Sequence, residues 1–303
     1  MGSFDFMLPY YGDVGQMQDA VRSVLAQTDR DFRLVVIDDG GEPEVPGWFE
    51  GLGDPRVRYL RNERNLGITK NFQKCVELSE ADHVVIMGCD DLLRPHYLET
   101  VRAILGAHPG IGMVQPGVEV IDGSGRVARG LTDAAKRWMF APRVKGRALM
   151  AGEELAASVL RGNWLYFPSI TWRGPALRRV NFRDGYSVLL DLALVVDLLE
   201  AGERMVIDGT TTVFQYRRHA DSESSVQAVS GTRFTESERY FSAVAERMEA
   251  RGWPRAARAA RLRYGSRLHA LRMLPGALGR GHRAGVRTLA RHAFAAGRAS
   301  GRG

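Results

Sequence analysis

Short runs of β-branched and large apolar residues recur along the first 121 positions, and stretches with helical spacing lie between them. The strand candidates are Phe4–Leu8, Arg33–Ile37, Val57–Leu60, His83–Met87 and Ile111–Ile121. Between them, Gln16–Ala26, Ile68–Leu78 and Pro95–Leu105 carry the apolar spacing of amphipathic helices. Strands alternating with helices of this length argue for βαβ units and a largely parallel sheet. From Asp122 to Pro142 the pattern dissolves into polar, Gly-containing sequence, which reads as a long loop or flap. A second half follows, with helices expected near Gly152–Leu160 and Ser187–Ala201 and a strand near Met205–Tyr216. No internal repeat is evident.

Three strand candidates run out into residues that a buried strand does not explain. His83–Met87 leads into Gly88-Cys89-Asp90-Asp91, Arg33–Ile37 into Asp38-Asp39-Gly40-Gly41, and Phe4–Leu8 into Pro9-Tyr10-Tyr11-Gly12-Asp13. In an open α/β sheet, ligands collect outside the carboxyl ends of the strands. Adjacent carboxylates there make a hard, oxygen-rich site suited to Mg²⁺ or Mn²⁺, which bind through a few carboxylates plus substrate phosphates. A carboxylate at such an edge can also accept a ring N–H from a base, and a Tyr can stack on it. Lys70 follows Asn65-Leu66-Gly67 at the start of a helix, where it and the helix dipole would offset phosphate charge. Each piece has a plainer reading. Asp90 and Asp91 would cap the helix that Pro95 helps start, Asp39-Gly40-Gly41 would be a turn, Pro9 a strand stop and Lys70 a solvated helix residue. Those readings do not explain together why three acidic exits share one sheet.

At 303 residues the chain has room for one large or two modest domains. Hydrophobic content of 45% and charged content of 25% are those of a soluble globular protein. No apolar run approaches the roughly 20 residues of a membrane span, and Met1-Gly2-Ser3-Phe4-Asp5 lacks the character of a signal peptide. With only Cys75 and Cys89, a disulfide framework is not expected and a reducing cytoplasm is the default. Cys89 reads as a small residue beside a crowded site rather than as a nucleophile. The net charge of +7 is unevenly spread: Arg251–Gly303 holds 13 Arg and no Lys, Asp or Glu, which leaves 29 basic against 35 acidic residues before it. Arg255, Arg258, Arg261 and Arg263 fall on helical spacing, with Leu262, Leu268 and Leu271 as apolar anchors. Such a tail either packs on the domain as a solvated helix or meets an anionic membrane surface or other acidic partner.

Phe6-Met7-Leu8-Pro9-Tyr10-Tyr11, Ser23-Val24-Leu25-Ala26-Gln27-Thr28, Val35-Val36-Ile37-Asp38-Asp39-Gly40, Asn62-Glu63-Arg64-Asn65-Leu66-Gly67 and Met87-Gly88-Cys89-Asp90-Asp91 resemble, in order and spacing, the motifs of family-2 glycosyltransferases. Those are inverting enzymes of the GT-A fold that use nucleotide-diphosphate sugars, and the resemblance covers about residues 4–220. It implies that Pro9, Tyr11 and Asp39 hold the nucleotide base, with Asp39 meeting uracil. It places Lys70 near the nucleotide, Asp90 on the ribose and Asp91 on the metal. The family's acid motif is loosely Asp-x-Asp; here it stands as Cys89-Asp90-Asp91, so only Asp91 carries over as a direct ligand. Gly162-Asn163-Trp164-Leu165-Tyr166-Phe167-Pro168-Ser169 resembles the segment lining the sugar and acceptor pocket, which implicates Trp164 and Ser169. Asp191, the lone acid in an apolar helical stretch, stands where the family places its catalytic base. Leu190 occupies the position of the usual preceding Glu, which removes a supporting acid. Asp197 is the rival, on another helix face. Tyr216-Arg217-Arg218-His219 and the Ser/Asp-rich residues after it resemble the stretch closing the donor site. That would bring His219 to the metal or diphosphate and Arg217 or Arg218 to the phosphate.

The expected protein is thus of the α/β class, with a GT-A-like, Rossmann-related mixed sheet flanked by helices. Residues 1–121 would form the nucleotide-sugar-binding half, 122–225 the acceptor-binding and catalytic half of the same domain, and 226–303 a basic helical extension. The expected activity is metal-dependent inverting transfer of a sugar, of hexosyl or N-acetylhexosaminyl type, from a UDP-sugar to a hydroxyl or amine of a small-molecule or glycan acceptor. Mn²⁺ or Mg²⁺ would be the cofactor, and no nucleic acid is expected as partner. The setting would be cytoplasmic, with the basic tail free to touch the inner membrane face or to dimerise. A nucleotidyltransferase of related fold and a degenerate scaffold acting through the Arg tail remain the alternatives. The lack of a span or second catalytic domain disfavours a processive synthase, and the Arg/Ala content suits a GC-rich bacterial source.

Overall fold

In the computed structural model, which describes residues 2–128, 139–142, 146–218, 232–279, 289–291 and 294, the chain divides into two compact units. The first comprises Met1–Gly130, Arg143–Ala151 and Leu165–His219, and it holds a single sheet. Its strands are β1 (Phe4–Tyr10), β2 (Arg33–Asp38), β3 (Val57–Arg61), β4 (His83–Ile86), β5 (Leu92–Leu93), β6 (Met113–Ile121), β7 (Arg147–Ala151), β8 (Thr171–Arg173) and β9 (Arg204–Arg217). They run in the order β3-β2-β1-β4-β8-β6-β9-β5, with β7 also paired to β9. The first four are mutually parallel, as the strand–helix alternation predicts. β8 then inserts antiparallel to both β4 and β6, so the sheet is mixed. This is the mixed α/β architecture expected.

Helices α1 (Val14–Leu25), α2 (Glu44–Leu52), α3 (Ile68–Leu78) and α4 (Tyr97–Ala107) follow the early strands. Alternate residues of β1 (Phe4, Phe6, Leu8, Tyr10) join Leu34 and Val36 of β2 in a core with Met17, Val21 and Val24 of α1 and Tyr97, Leu98 and Val101 of α4. Burying a large apolar side chain contributes about 1.5–3 kcal/mol, so this layer fixes the sheet under the exits. Two short helices complete the first unit, α6 (Gly174–Val180) and α7 (Leu190–Glu200).

The second unit comprises Leu131–Pro142, Gly152–Trp164 and Ala220–Gly303, and its described helices are α5 (Gly152–Arg161), α8 (Thr232–Ala250), α9 (Pro254–Leu262) and α10 (Tyr264–Gly279). In α9, Ala256, Ala257, Ala259 and Ala260 are buried, while Arg255 and Arg258 are exposed. Glu153 of α5 accepts from the first backbone N–H groups of α9, from Arg255 at 2.5 Å and Ala256 at 3.4 Å, which caps that helix. Arg255 also pairs with Glu153, Arg261 with Glu249 and Arg263 with Glu238. The start of the basic tail therefore packs on its own unit. Residues 152–164, expected within the catalytic half, cluster with the C-terminal helices instead.

Several elements depart from expectation for identifiable reasons. α2 carries Pro46, Gly47 and Gly51 and shows no clean helical signature, yet Pro46 falls in the first turn, where a missing N–H costs nothing. β5 and β8 are two and three residues long, too short to display a period. The flap expected from Asp122 opens with a tight turn, in which Asp122 N–H donates to Arg126 O (2.8 Å) and Ile121 bridges Val127. The reading of Asp90 and Asp91 as helix caps is overturned: α4 starts at Tyr97, its N-cap is His96, and β5 intervenes. Asp13 is a cap, its carboxylate accepting from Gln16 N–H at 2.8 Å, so the β1 exit contributes no acid to a site.

Candidate donor and metal site

The register brings three exits side by side. Tyr10 pairs with Asp38 across β1 and β2, Met7 with Ile86 across β1 and β4, and Asp39 N–H donates to Tyr10 O at 2.8 Å. Pro9 is buried within β1, whereas Tyr11, the next residue beyond the strand, is 63% exposed. A Tyr so presented is available to stack on a flat ring.

At the β2 exit the two carboxylates have different tasks. Asp38 is fully buried and accepts from Gly40 N–H (2.8 Å), Arg61 Nε (2.7 Å) and the Tyr59 hydroxyl. Burial and Asp38 itself push the Tyr59 phenol up, so it stays a donor. Asp39 accepts from Asn62 Nδ2 and Leu66 N–H at 2.7 Å on Oδ1, and from Gly67 N–H at 2.9 Å on Oδ2. Its carboxylate therefore holds the 62–67 loop against the strand end. Gly67 has φ of +78°, a left-handed conformation that glycine adopts without strain, and it leads directly into α3. Lys70, in the first turn of α3, pairs with Asp184 at 2.8 Å. Both partners are exposed and solvent screens the pair, so a phosphate could displace Asp184 at little cost.

The β4 exit is the most constrained. Asp91 is 1% exposed; Oδ1 accepts the backbone N–H of Arg217 at 2.8 Å, and Oδ2 is buried with no hydrogen-bond partner among the described residues. Burial, then the neighbouring charge of Asp90, raises the Asp91 carboxyl well above its ordinary range, against the opposing pull of Arg217. Gly88 makes room for both acids, since a Cβ there would stand 2.6 Å from Asp91 Oδ2 and 2.9 Å from Asp90 Oδ1. Cys89 donates to Tyr11 O at 3.8 Å; burial and then Asp90 push its thiol up to about 12, which keeps it protonated and unsuited to nucleophilic attack.

Arg217, expected at the phosphate, is buried in this structure. Its Nε donates to Asp90 O at 2.7 Å, and another guanidinium nitrogen to the carbonyls of Gly123 (3.0 Å) and Asp122 (3.3 Å). It fastens the acid pair to the turn after β6, a role that sequence spacing did not suggest. Arg218 is exposed and lies over the Tyr216 ring. His219 lies outside the described residues.

On the acceptor side, Asp191 is half-buried in the first turn of α7, where its Oδ1 accepts the N–H of Leu192 at 2.7 Å. The rival Asp197 is bound on both oxygens by Arg183. The loop before α7 docks on α3: Thr69 donates to Tyr186 O and Gln73 to Phe182 O, each at 2.8 Å. Ser169 is fully buried, donating from Oγ to Tyr166 O at 2.8 Å while its carbonyl accepts from Tyr97. Trp164, in the second unit, is buried and donates to Ser158 Oγ at 3.1 Å. Both residues expected at the pocket thus have their side-chain donors engaged internally.

The glycosyl transferase family 2 model matches residues 5–163, more than half of the chain and all three of the strand exits just described. The protein belongs to glycosyl transferase family 2. Among curated proteins, this family-2 chain is 34% identical to a glucosyl-dolichyl phosphate glucuronosyltransferase of Haloferax volcanii, over 27% of each chain. It is 28% identical to an abequosyltransferase of Salmonella typhimurium, over 35% of this chain and 33% of the other. The chain spans roughly a third of the length of the curated relatives it matches, 33% and 40% for two of them. Among solved structures, Staphylococcus aureus TarS 1-349 in complex with UDP-GlcNAc superposes with a TM-score of 0.58 at 13% identity, covering 95% of this chain and 90% of that one. At that identity the likeness is one of fold.

Proposed function

We propose that this protein is a metal-dependent, inverting glycosyltransferase that moves a sugar from a UDP-sugar to a hydroxyl or amine of a small-molecule or glycan acceptor. The observation that carries the reading is Asp91 Oδ2, a buried carboxylate oxygen without a partner among the described residues, beside Asp90 at the junction of three parallel strand exits. An unpaired buried carboxylate is costly, and a hard divalent cation would relieve that cost. Among the described residues no three His, Cys, Asp or Glu side chains converge on one point. Mg²⁺ and Mn²⁺ take one or two carboxylates and complete their shell with water and substrate phosphate. Asp91 would hold the ion directly with Asp90 beside it, and the family resemblance would add His219 as a further ligand. When bound, the metal would neutralise charge developing on the departing diphosphate.

The chain's own residues would divide the remaining work. Tyr11 would stack on the uracil ring, Pro9 would shape the strand end beneath it, and Asp39 would meet the base. Asp90 would accept from the ribose, and Lys70 would exchange Asp184 for phosphate. Asp191 would take the proton from the acceptor as the acceptor atom attacks the anomeric carbon opposite the leaving group, so that one displacement inverts the centre. Such general-base help is worth typically ~10²–10⁴-fold. Ser169 would act on the sugar and acceptor pocket through packing. The relatives named for glucuronosyl and abequosyl transfer differ in the sugar they carry, and the TarS complexes with UDP-GlcNAc and UDP support a uridine nucleotide.

The test is incubation of the purified protein with a panel of UDP-sugars, mixed acceptors and Mn²⁺, scored for free UDP against pyrophosphate. Metal-dependent UDP release with a glycosylated product supports the reading. Pyrophosphate release would instead indicate nucleotidyl transfer, and neither product across the panel would indicate a binding module.

A further inference from the structure

We infer that the C-terminal unit carries a docking surface for an anionic lipid bilayer, centred on one face of α10. Among the described residues, Tyr264, Leu268 and Leu271 are 50%, 47% and 39% exposed. They stand at spacings of four and three along one helix and so share a face. The opposite side of α10 is the packed one: Ala270 is fully buried and clusters with Leu289, Met273 and Leu274. The exposed stripe is therefore not the helix's route into its own core.

Charge selects the partner. The second unit holds 19 Lys and Arg against 9 Asp and Glu, a net of +10, whereas the first carries 23 against 26, a net of −3. The acids of the second unit are partly committed already, since Glu153, Glu249 and Glu238 pair with Arg255, Arg261 and Arg263. From Arg263 onward the chain adds eight further Arg and no acid. An apolar stripe needs hydrocarbon and the excess arginine of the unit that carries it needs anions; a bilayer with anionic headgroups supplies both. A second copy docking through this face would set two strongly positive units against each other. A nucleic acid would meet the arginines and leave the leucines uncovered.

Vesicle co-sedimentation of the full chain tests this independently of any donor or acceptor. The vesicles would be pure phosphatidylcholine, or phosphatidylcholine with one quarter phosphatidylglycerol, at low and high NaCl. The double variant Leu268→Ser/Leu271→Ser would be run beside the parent, with melting temperature and UDP affinity measured on each preparation. The expected result is partition onto the phosphatidylglycerol vesicles alone, weakened by salt, and at least about tenfold weaker in the double variant, in line with the loss of two half-exposed leucines from hydrocarbon. Melting temperature and UDP affinity should be unchanged. Three outcomes would overturn the inference: no partition of the parent, equal partition of the double variant, or a parent dimer by light scattering that the double variant makes monomeric. Should the variant fail to fold, Tyr264→Ser, at the exposed start of the helix, gives the same comparison.

Discussion

The backbone N–H of Arg217 meets Asp91 Oδ1 at 2.8 Å, although 126 positions separate the two in sequence. The same residue's guanidinium reaches back to Asp90 O and across to Gly123 O. The last residue of β9 therefore fixes both members of the acid pair, one through its backbone and one through its side chain. Oδ2 of Asp91 is left buried without a partner among the described residues, and it is the oxygen proposed to receive the cation.

Arg217→Lys keeps the charge and the backbone N–H but loses the planar fork that serves the carbonyls of Asp90, Asp122 and Gly123 at once. Leaving a buried acceptor unpaired costs about 1–3 kcal/mol. The variant should melt lower than the parent and bind UDP with Mn²⁺ less tightly, while UDP binding in EDTA changes little. Calorimetry with and without metal checks this. Equal loss in both conditions would assign Arg217 to the phosphate instead.

Asp91→Asn should abolish metal-supported UDP binding while the fold survives. It should also change the pH dependence of stability without metal, and the sign is fixed. Burial and Asp90 raise the folded-state pKa of Asp91 above its unfolded value, so the folded chain holds the proton more tightly. Stability is then lost as pH rises from the ordinary carboxylate value, about 4, toward the raised one. Asn never pays that cost. In EDTA the variant should melt above the parent at pH 8, with the excess vanishing near pH 4. A variant that melts lower than the parent at pH 8 would mean that Asp91 is a structural carboxylate.

Asp39→Asn tests a residue with two burdens. Its carboxylate carries three hydrogen bonds that pin Asn62, Leu66 and Gly67, and it is also proposed to meet the base. Charge-assisted hydrogen bonds of this kind are worth roughly 1.5–3 kcal/mol. UDP affinity should fall about tenfold or more, accompanied by a lower melting temperature, while free metal binding is little changed. Lowered stability with unchanged UDP affinity would leave Asp39 as a loop anchor only.

Cys89 abuts the acid pair, yet its thiol is pushed up to about 12. The thiolate is the reactive form, so alkylation by iodoacetamide at pH 8 should be much slower than for a free cysteine, and Cys89→Ser should retain transfer within about twofold. Rapid labelling accompanied by loss of activity would make Cys89 part of the chemistry.

The cluster of strand exits was legible because its signal is local. A β-branched run that ends in acids, or a glycine after two asparagines, breaks a pattern within a few residues, and the parallel pairing of β1, β2 and β4 then brings those breaks together. Arg217 as a strut was not legible, because its partners come from strand ends far away in sequence and leave no periodic trace. Asp13 misled for the opposite reason: an acid after a strand and an acid before a helix occupy the same few positions, and only the helix start at Val14 tells them apart. β8 was missed because Thr171–Arg173 is too short to show alternation, although it inserts the antiparallel step that makes the sheet mixed. The burial of Trp164 and Ser169 was equally hidden, since an aromatic-rich segment looks the same whether it lines a pocket or fills a core.

Asp191 carries the sharpest test of the proposed chemistry. It sits half-buried in the first turn of α7, where the helix's free N–H groups and dipole favour a carboxylate, and it accepts the N–H of Leu192. Asp197, six residues on, is bound on both oxygens by Arg183. Asp191→Asn keeps the size and one acceptor oxygen but removes the basicity. Transfer should fall by roughly 10²–10⁴-fold, with UDP-sugar affinity and melting temperature close to those of the parent. A purely structural Asp191 predicts another pattern: a lower melting temperature in proportion to any lost activity. Rate, donor affinity and melting temperature should come from one preparation. A stable Asn variant that keeps a tenth or more of parental transfer would falsify the assignment, and Asp197→Asn would then show whether that carboxylate is the base.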